Sequence, residues 1–404
     1  MTGSLLALVA LGKQDGEFIG NPEISFFRNV YKHHTHFSVE SIPIHFDQGL
    51  VFGKKSTVVI PRKADLLSRM VLELRLPALS PNANVSWINA TGHSLIKEVT
   101  IEIGGVKIDS QTGEFMDILS HIELNDAKKW GYYTMIAKHE LYTRFSQTGE
   151  TILFIPLQFW FCRHISQALP MVGLQYHEIK FTLTLRDFDE SWYSGPDMTD
   201  RPDTIYNING FLHCDYIFLS NQERRFFAKE EHRYLIEQVQ MYDGNGVARN
   251  TVNDNINVFF NHPVKELFWI YKADAVRNTN DWLNFSKTMN YIENHEDPQE
   301  PIKACQWKIN GHDLMEEKSG AYFRLVNPYR YYNRIPDNFV YVHSFSMEPH
   351  RFQPSGHLNF SMLNSVVLSL TYTDNIPDGS VTVYARNYNI LEIKNGQAAL
   401  LYSA

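Results

Sequence analysis

Residues 18–77 read FIGNPEISFFRNVYKHHTHFSVESIPIHFDQGLVFGKKSTVVIPRKADLLSRMVLELRLP, and this stretch decides the fold. A turn-forming Asn21-Pro22 pair precedes a short aromatic run, Phe26-Phe27-Arg28-Asn29-Val30-Tyr31. Three strand-like runs follow. Ile42, Ile44 and Phe46 alternate with Pro43 and His45; Ser56–Ile60 is rich in β-branched residues; Met70, Leu72, Leu74 and Leu76 share one face. A period of two over successive short runs predicts a sheet with one buried face. Pro43 has no N–H to give to a ladder, so the first run belongs at a sheet edge or a bulge.

The same rhythm continues outward. Val99, Ile101 and Ile103 alternate with Thr100 and Glu102, and Gly104-Gly105 turns the chain into 106–109. Phe115, Ile118, Leu119 and Ile122 then recur at three- and four-residue spacing, which predicts a short helix over 114–125, with a second over 131–141. An apolar strand is expected up to Phe161, and another where Ile179, Phe181, Leu183 and Leu185 alternate with polar residues. Gly210–Ser220 closes the first half. Residues 221–232, NQERRFFAKEEH, are charge-dense and read as a linker or short helix between domains. Strands are expected again at 234–241, 256–260, 264–272, 302–309, 339–347, 366–372 and 381–393. Short strands at turn-punctuated intervals predict β-sandwiches. The two halves show no sequence repeat.

A chain of 404 residues is long for one domain, and two of about 200 are the natural expectation. With 44% hydrophobic, 13% aromatic and 20% charged residues it can bury a sizeable core, and its β-branched runs favour strands. A net charge of −8 lacks the basic excess of a nucleic-acid binder. Cys162, Cys214 and Cys305 are odd in number and without CxxC spacing, so they read as reduced thiols and not as a disulfide framework or a zinc site. No run approaches the ~18–20 apolar residues of a membrane span. The apolar start SLLALVAL has no basic residue before it, so it is expected to be a structural segment and not a secretion signal.

Two ordered runs near the start, NPEISFFRNVYKHHTHFSVESI and FGKKSTVVIPRKADLLSRM, resemble the double jelly-roll major capsid protein family of large icosahedral nucleocytoplasmic DNA viruses. FIPLQFWF, ALPMVGLQYHEIKF, ERRFFAKEEHRYLIEQVQ, NHPVKELFW, QPSGHLNFS and VYARNYNILEIKNGQAALLY follow in the family's order, so the resemblance spans nearly the whole chain. It implies an all-β fold: two consecutive antiparallel jelly-roll β-sandwiches with short helices in the connecting loops. The expected division is an arm over 1–24, a first jelly roll over 25–220, a linker over 221–232 and a second jelly roll over 233–404. The implied function is structural, with homotrimers forming pseudo-hexagonal capsomers that tile an icosahedral shell. The implied partners are the chain itself, neighbouring capsomers, minor capsid proteins and, through the arm, an inner viral membrane. The implied location is the virion capsid, made and assembled in the host cytoplasm. The run SLLALVALGKQD resembles the family's segment beneath the capsomer, which makes Leu5, Leu6, Leu8, Val9 and Leu11 candidates for an assembly arm. The alternative is that they fill their own domain. Loops 241–255 and 273–300 are modest and polar, without large Ser/Thr/Gly-rich insertions.

Two rival functions have residues to test. His34, His36 and Glu40 reproduce the HxHxxxE spacing of a cupin, a jelly-roll family whose imidazoles and carboxylate bind iron or manganese. The glycine expected six residues before the first His is Arg28, and the second cupin motif is missing, so a structural histidine run is the expectation. Tyr329, Tyr331 and Tyr332 are the best candidates for an aromatic platform in a carbohydrate-binding β-sandwich. Gly244-Asn245-Gly246 is a turn, and no GxxxxGK[ST], HExxH or plausible GxSxG nucleophile elbow occurs. No catalytic residue and no cofactor is expected. Sequons at Asn84, Asn89 and Asn284 fall in polar loops, where glycans attach if the protein meets a glycosylation machinery; the one at Asn359 sits in a candidate core segment and reads as a chance match.

Overall fold

A computed structural model of the chain describes residues 2–79, 85–138, 149–194, 198, 200–288 and 299–402. Residues 1–36 and 37–404 form separate compact units. In the first, helix α1 (Gly3–Val9), a 3-10 turn at Lys13–Asp15 and a helical turn at Gly16–Ile19 contain no buried residue. The first strand begins only at Phe37.

The second unit is two β-sandwiches in series. The first uses β1 (Phe37–His45), β2 (Lys55–Ile60), β3 (Leu66–Leu76), β4 (Ile96–Ile103), β5 (Val106–Gln111), β6 (Thr151–Pro156), β7 (Ile179–Leu185) and β8 (Asn207–Leu219). Its sheets run β1-β8-β3-β6 and β2-β7-β4-β5, every pairing antiparallel. The second uses β9 (His232–Val247), β10 (Asn253–Asn257), β11 (Pro263–Ala273), β12 (Ile302–Ile309), β13 (His312–Asp313), β14 (Tyr341–Ser344), β15 (Val366–Tyr372) and β16 (Gly379–Lys394). Its sheets run β9-β16-β11-β14 and β10-β15-β12-β13, again antiparallel. The second sandwich therefore repeats the first strand for strand, β9 in the place of β1 through β16 in the place of β8. This is a duplication that the sequence itself does not show.

Local chemistry explains the strands. Along β7 and β15 buried and half-buried or exposed residues alternate without a break, as a pleated strand with one face in a core requires. Pro43 lies in β1, which pairs only with β8 and so leaves the missing N–H at a sheet edge. Gly104 and Gly105 both have positive φ (59° and 79°), which the tight β4–β5 turn needs.

Between β5 and β6 lie α2 (Gly113–Ile122) and α3 (Lys129–Met135). Thr112 caps α2, its Oγ1 accepting from the Phe115 N–H at 3.2 Å. A Cβ on Gly113 would meet the His93 carbonyl oxygen at 2.0 Å, so only glycine lets the helix start this close to the chain beneath. The charge-dense boundary folds as helix α4 (Asn221–Lys229).

Three strand expectations shift. The strand expected to reach Phe161 ends at Pro156, and Trp160–Arg163 turns helical with Trp160 and Phe161 buried. The strand expected at 256–260 is centred earlier, as β10, and the one expected at 339–347 is the shorter β14.

Candidate functional site

The side chains that carry charge and chemistry gather where the two sandwiches meet. Arg386 on β16 and Lys265 and Glu266 on β11 are almost wholly buried. From the first sandwich, Glu123 at the end of α2 and Arg163 reach the same place. Arg163 Nη2 donates to both Glu123 carboxylate oxygens at 2.6 and 2.7 Å, and its Nη1 donates to Glu237 on β9. Arg386 Nη2 lies 2.7 Å from Glu123 and also pairs with Glu266. Lys265 donates to Glu237, and the Tyr332 hydroxyl donates to Glu266. Three cations face three carboxylates, so the cluster is neutral only while all of its members are present. Burial works to raise the Glu237 carboxyl, but Arg163, Lys265 and Arg386 overcome it and hold the group down to about 2.

Two further clusters join the halves or brace the helices. Glu114 on α2 pairs with Arg186 at 3.2 Å and with Lys272 of β11 at 2.9 Å, and it accepts from the Tyr384 hydroxyl at 3.1 Å. Asp117, also on α2, takes Lys138 Nζ at 2.5 Å, His93 Nδ1 at 3.2 Å and His121 Nε2 at 3.3 Å, while His93 Nε2 meets the Tyr132 hydroxyl at 2.9 Å. Burial opposes the Asp117 charge, but Lys138 and then His121 keep the carboxyl well below its usual range. The Asp–His–Tyr order imitates a proton relay, yet Asp117, His93 and His121 are all buried, so a substrate has no approach. The cluster ties α2 to α3 and to the turn at Thr91–Ser94.

The edge contact between β5 and β9 contains one costly group. Asp109 Oδ1 accepts from the Val239 N–H at 2.9 Å and Oδ2 from Gln111 Nε2 at 2.8 Å. Burial nevertheless dominates and pushes its carboxyl up to about 7. A folded-state pKa raised from the ordinary 3.8 gives stability that is fully present below about pH 4 and lost as pH rises through 7. At about 1.4 kcal/mol per pKa unit, the loss is on the order of 4 kcal/mol. Asp109→Asn keeps an acceptor for Val239 and removes the charge. It is expected to melt above the parent protein at pH 8 and to flatten the melting-temperature profile between pH 4 and 7. A variant whose profile still falls across that window would assign the titration to another group.

The residues singled out from sequence sort differently. His34 and His36 are exposed ahead of β1, with His34 Nδ1 2.7 Å from the Thr35 carbonyl, and Glu40 stands on β1 opposite Tyr216. Among the described residues no group of three or more His, Cys, Asp or Glu side chains could hold a metal ion. The aromatic platform does not form: Tyr329 is 77% exposed, but Tyr331 is half-buried and Tyr332 is buried on Glu266. Asn284 is a correction, because it is 1% exposed with Nδ2 donating to the Thr288 carbonyl at 3.3 Å, so it is no surface acceptor. Asn89 is half-buried with Oδ1 accepting from the Ala90 N–H, and Asn84 lies outside the described residues. Asn359, expected in a core segment, is exposed on the two-residue strand Leu358–Asn359. Leu5, Leu6, Leu8, Val9 and Leu11 are all at least 50% exposed. The cysteines are free thiols, and burial, the largest influence on it, pushes Cys162 up to about 12.

The charge clusters were not foreseen. Their local signal is faint: Glu114, Asp117 and His121 stand at three- and four-residue spacing on a helix that also carries Phe115, Ile118, Leu119 and Ile122, and Lys265-Glu266 interrupts an apolar strand.

Two antiparallel sandwiches with the same strand order, joined through buried ion pairs, define a double jelly-roll protein. The family description "Large eukaryotic DNA virus major capsid protein" matches residues 223–399, and "Major capsid protein N-terminus" matches 25–220. The chain belongs to this major capsid protein family. It is 34% identical to the major capsid protein of Pyramimonas orientalis virus and 30% identical to that of Phaeocystis pouchetii virus, in both cases across 100% of each chain. A quasi-atomic model of the PBCV-1 virus capsid superposes with a TM-score of 0.80 at 27% identity, covering 94% of this chain and 100% of that chain. The Faustovirus major capsid protein shares the fold, with a TM-score of 0.78 at 14% identity over 97% of this chain and 96% of that one.

Proposed function

We propose that the chain is the structural subunit of an icosahedral viral shell, and that it acts as a homotrimer forming pseudo-hexagonal capsomers. The observation that supports this best is the family match over both sandwiches, residues 25–220 and 223–399. Family membership argues for the capsid role, and the trimer is our reading of how a duplicated sandwich fills a six-sided block. The ion pairs between the sandwiches suit a rigid two-sandwich wall. In this reading the protein is made and assembled in the host cytoplasm, an arm, two jelly rolls and the linker helix dividing the labour.

The arm supplies contacts to the layer below. Its apolar residues gain little where they stand, since burying a Leu or Val fully is worth about 1.5–3 kcal/mol and these are at least half exposed. Such a segment becomes ordered when a neighbouring capsomer, a minor capsid protein or an inner membrane covers it.

Peptide mapping of purified virus particles tests the proposal. The chain should rank among the most abundant shell proteins, and antibodies against it should label intact particles. A protein present in infected cells but missing from purified particles would contradict it.

A further inference from the structure

A cavity of about 450 Å³ is lined by both sandwiches, and its size falls in the range of ~300–1,000 Å³ that takes small organic ligands. Equivalent connections of the two sandwiches build it. The β6-to-β7 connection contributes Trp160 and Gln167, and the β14-to-β15 connection contributes His350 and Phe352. Leu119 of α2 and Leu235 of β9 add apolar surface. Trp160 is here because the chain turns helical after Pro156 instead of continuing as a strand, and a 3-10 turn at Ile165–Gln167 brings in Gln167.

The buried part of this lining has hydrogen-bonding capacity that the fold does not use. Trp160 and Gln167 are 4% and 7% exposed, yet the indole Nε1–H and the amide Oε1 have no partner among the described residues. A buried donor and a buried acceptor are costly to leave unmade, and folded proteins pair nearly all of theirs. Arg163, from the same connection, is already committed to Glu123 and Glu237. A group that satisfies both atoms must therefore bring its own acceptor and its own donor, on a body apolar enough for Leu119 and Leu235.

The exposed part of the lining is basic. Arg69 and Lys128 are exposed there, and neither has an ion-pair partner among the described residues. Arg351 is taken by Glu348 at 3.1 Å. His164 Nδ1 accepts from the Ser166 N–H at 3.2 Å, which puts the ring proton on Nε2 as one more donor. The acids of the lining, Glu123 and Glu237, are neutralised by Arg163, Arg386 and Lys265. Two uncommitted cations, on a chain of net charge −8, set a local preference for an anion.

We propose that this cavity binds a nucleoside monophosphate, with the edge of the base on Trp160 and Gln167 and the phosphate drawn to Arg69 and Lys128. A nucleobase presents an acceptor and a donor side by side on a flat body, and the phosphate supplies the charge. A neutral sugar lacks that charge, and an inorganic anion leaves the buried atoms unpaired. The ligand touches both sandwiches, so it stabilises the folded chain by mass action. The proposal goes beyond the structural role and does not depend on the oligomeric state.

Calorimetric titration of the purified full chain with AMP tests it, with adenosine and inorganic phosphate as separate arms. AMP should bind with a dissociation constant below ~1 mM and raise the melting temperature. Trp160→Phe keeps an aromatic ring, removes the donor and should weaken AMP about tenfold. Arg69→Gln combined with Lys128→Gln should weaken it about fivefold and flatten its salt dependence. Adenosine should lose about the same fivefold, and phosphate at least about tenfold. Circular dichroism checks each fold, and the Arg69/Lys128 pair, being exposed, carries the test if Trp160→Phe does not fold. No heat and no melting shift with AMP up to about 10 mM, or an AMP affinity unchanged in the folded variants, overturns the site. Adenosine as tight as AMP removes the role of Arg69 and Lys128, phosphate as tight as AMP removes that of Trp160 and Gln167, and either result overturns the nucleotide assignment.

Discussion

Replacing Arg386 by Met is expected to destabilise the folded chain by on the order of 3–5 kcal/mol, read as a lower denaturant midpoint and melting temperature. Arg386 is 1% exposed and faces Glu123, Glu237 and Glu266. Removing it leaves an excess of negative charge, with the fully buried Glu266 deprived of its cation. Adding Glu266→Gln to the same variant should recover part of the loss, because it restores two cations against two carboxylates and the penalty comes from unpaired charge and not from lost volume. The network also sets an acid limit. Glu237, held down to about 2, gives stability that is fully present above its ordinary pKa of 4.5 and is lost as pH falls toward 2. A loss below about 1 kcal/mol on Arg386→Met would place the cluster in water, where exposed pairs contribute that little.

Deleting residues 1–17 should abolish or sharply weaken shell assembly while leaving the melting temperature close to that of the full chain. The reason is that the described part of this segment buries none of its own side chains. Thermal melts and electron microscopy of assembly reactions check the two halves of the expectation. A truncated chain that fails to fold would make the arm part of the sandwich core, and its assembly role would fall.

Much of the fold is legible in the sequence, for reasons that differ from place to place. The strands at Ile302–Ile309 and Val366–Tyr372 fall where expected, because one face of each meets a core; the alternation is unbroken along the second and interrupted by a register shift between Ile302 and Ala304 in the first. Helix α2 is legible from Phe115, Ile118, Leu119 and Ile122, which its packing needs at helical spacing. Residues 157–161 mislead because a short run of buried aromatics looks the same in a strand and in a helical turn. Nothing local marks Arg163 as the partner of Glu237, or Arg386 as the partner of Glu123, since their meeting depends on how two sandwiches pack. Asn284 reads as a polar loop residue for the same reason, since its burial is tertiary. The duplication is hidden because strand order and pairing can persist while side chains change, so long as each inward face stays apolar.

The mass of the assembled protein tests the trimer most directly. Sedimentation or light scattering of the purified chain at micromolar concentration should return three times its 46.9 kDa mass, with no monomer plateau on dilution through that range. A single species at 46.9 kDa across the same range would contradict it.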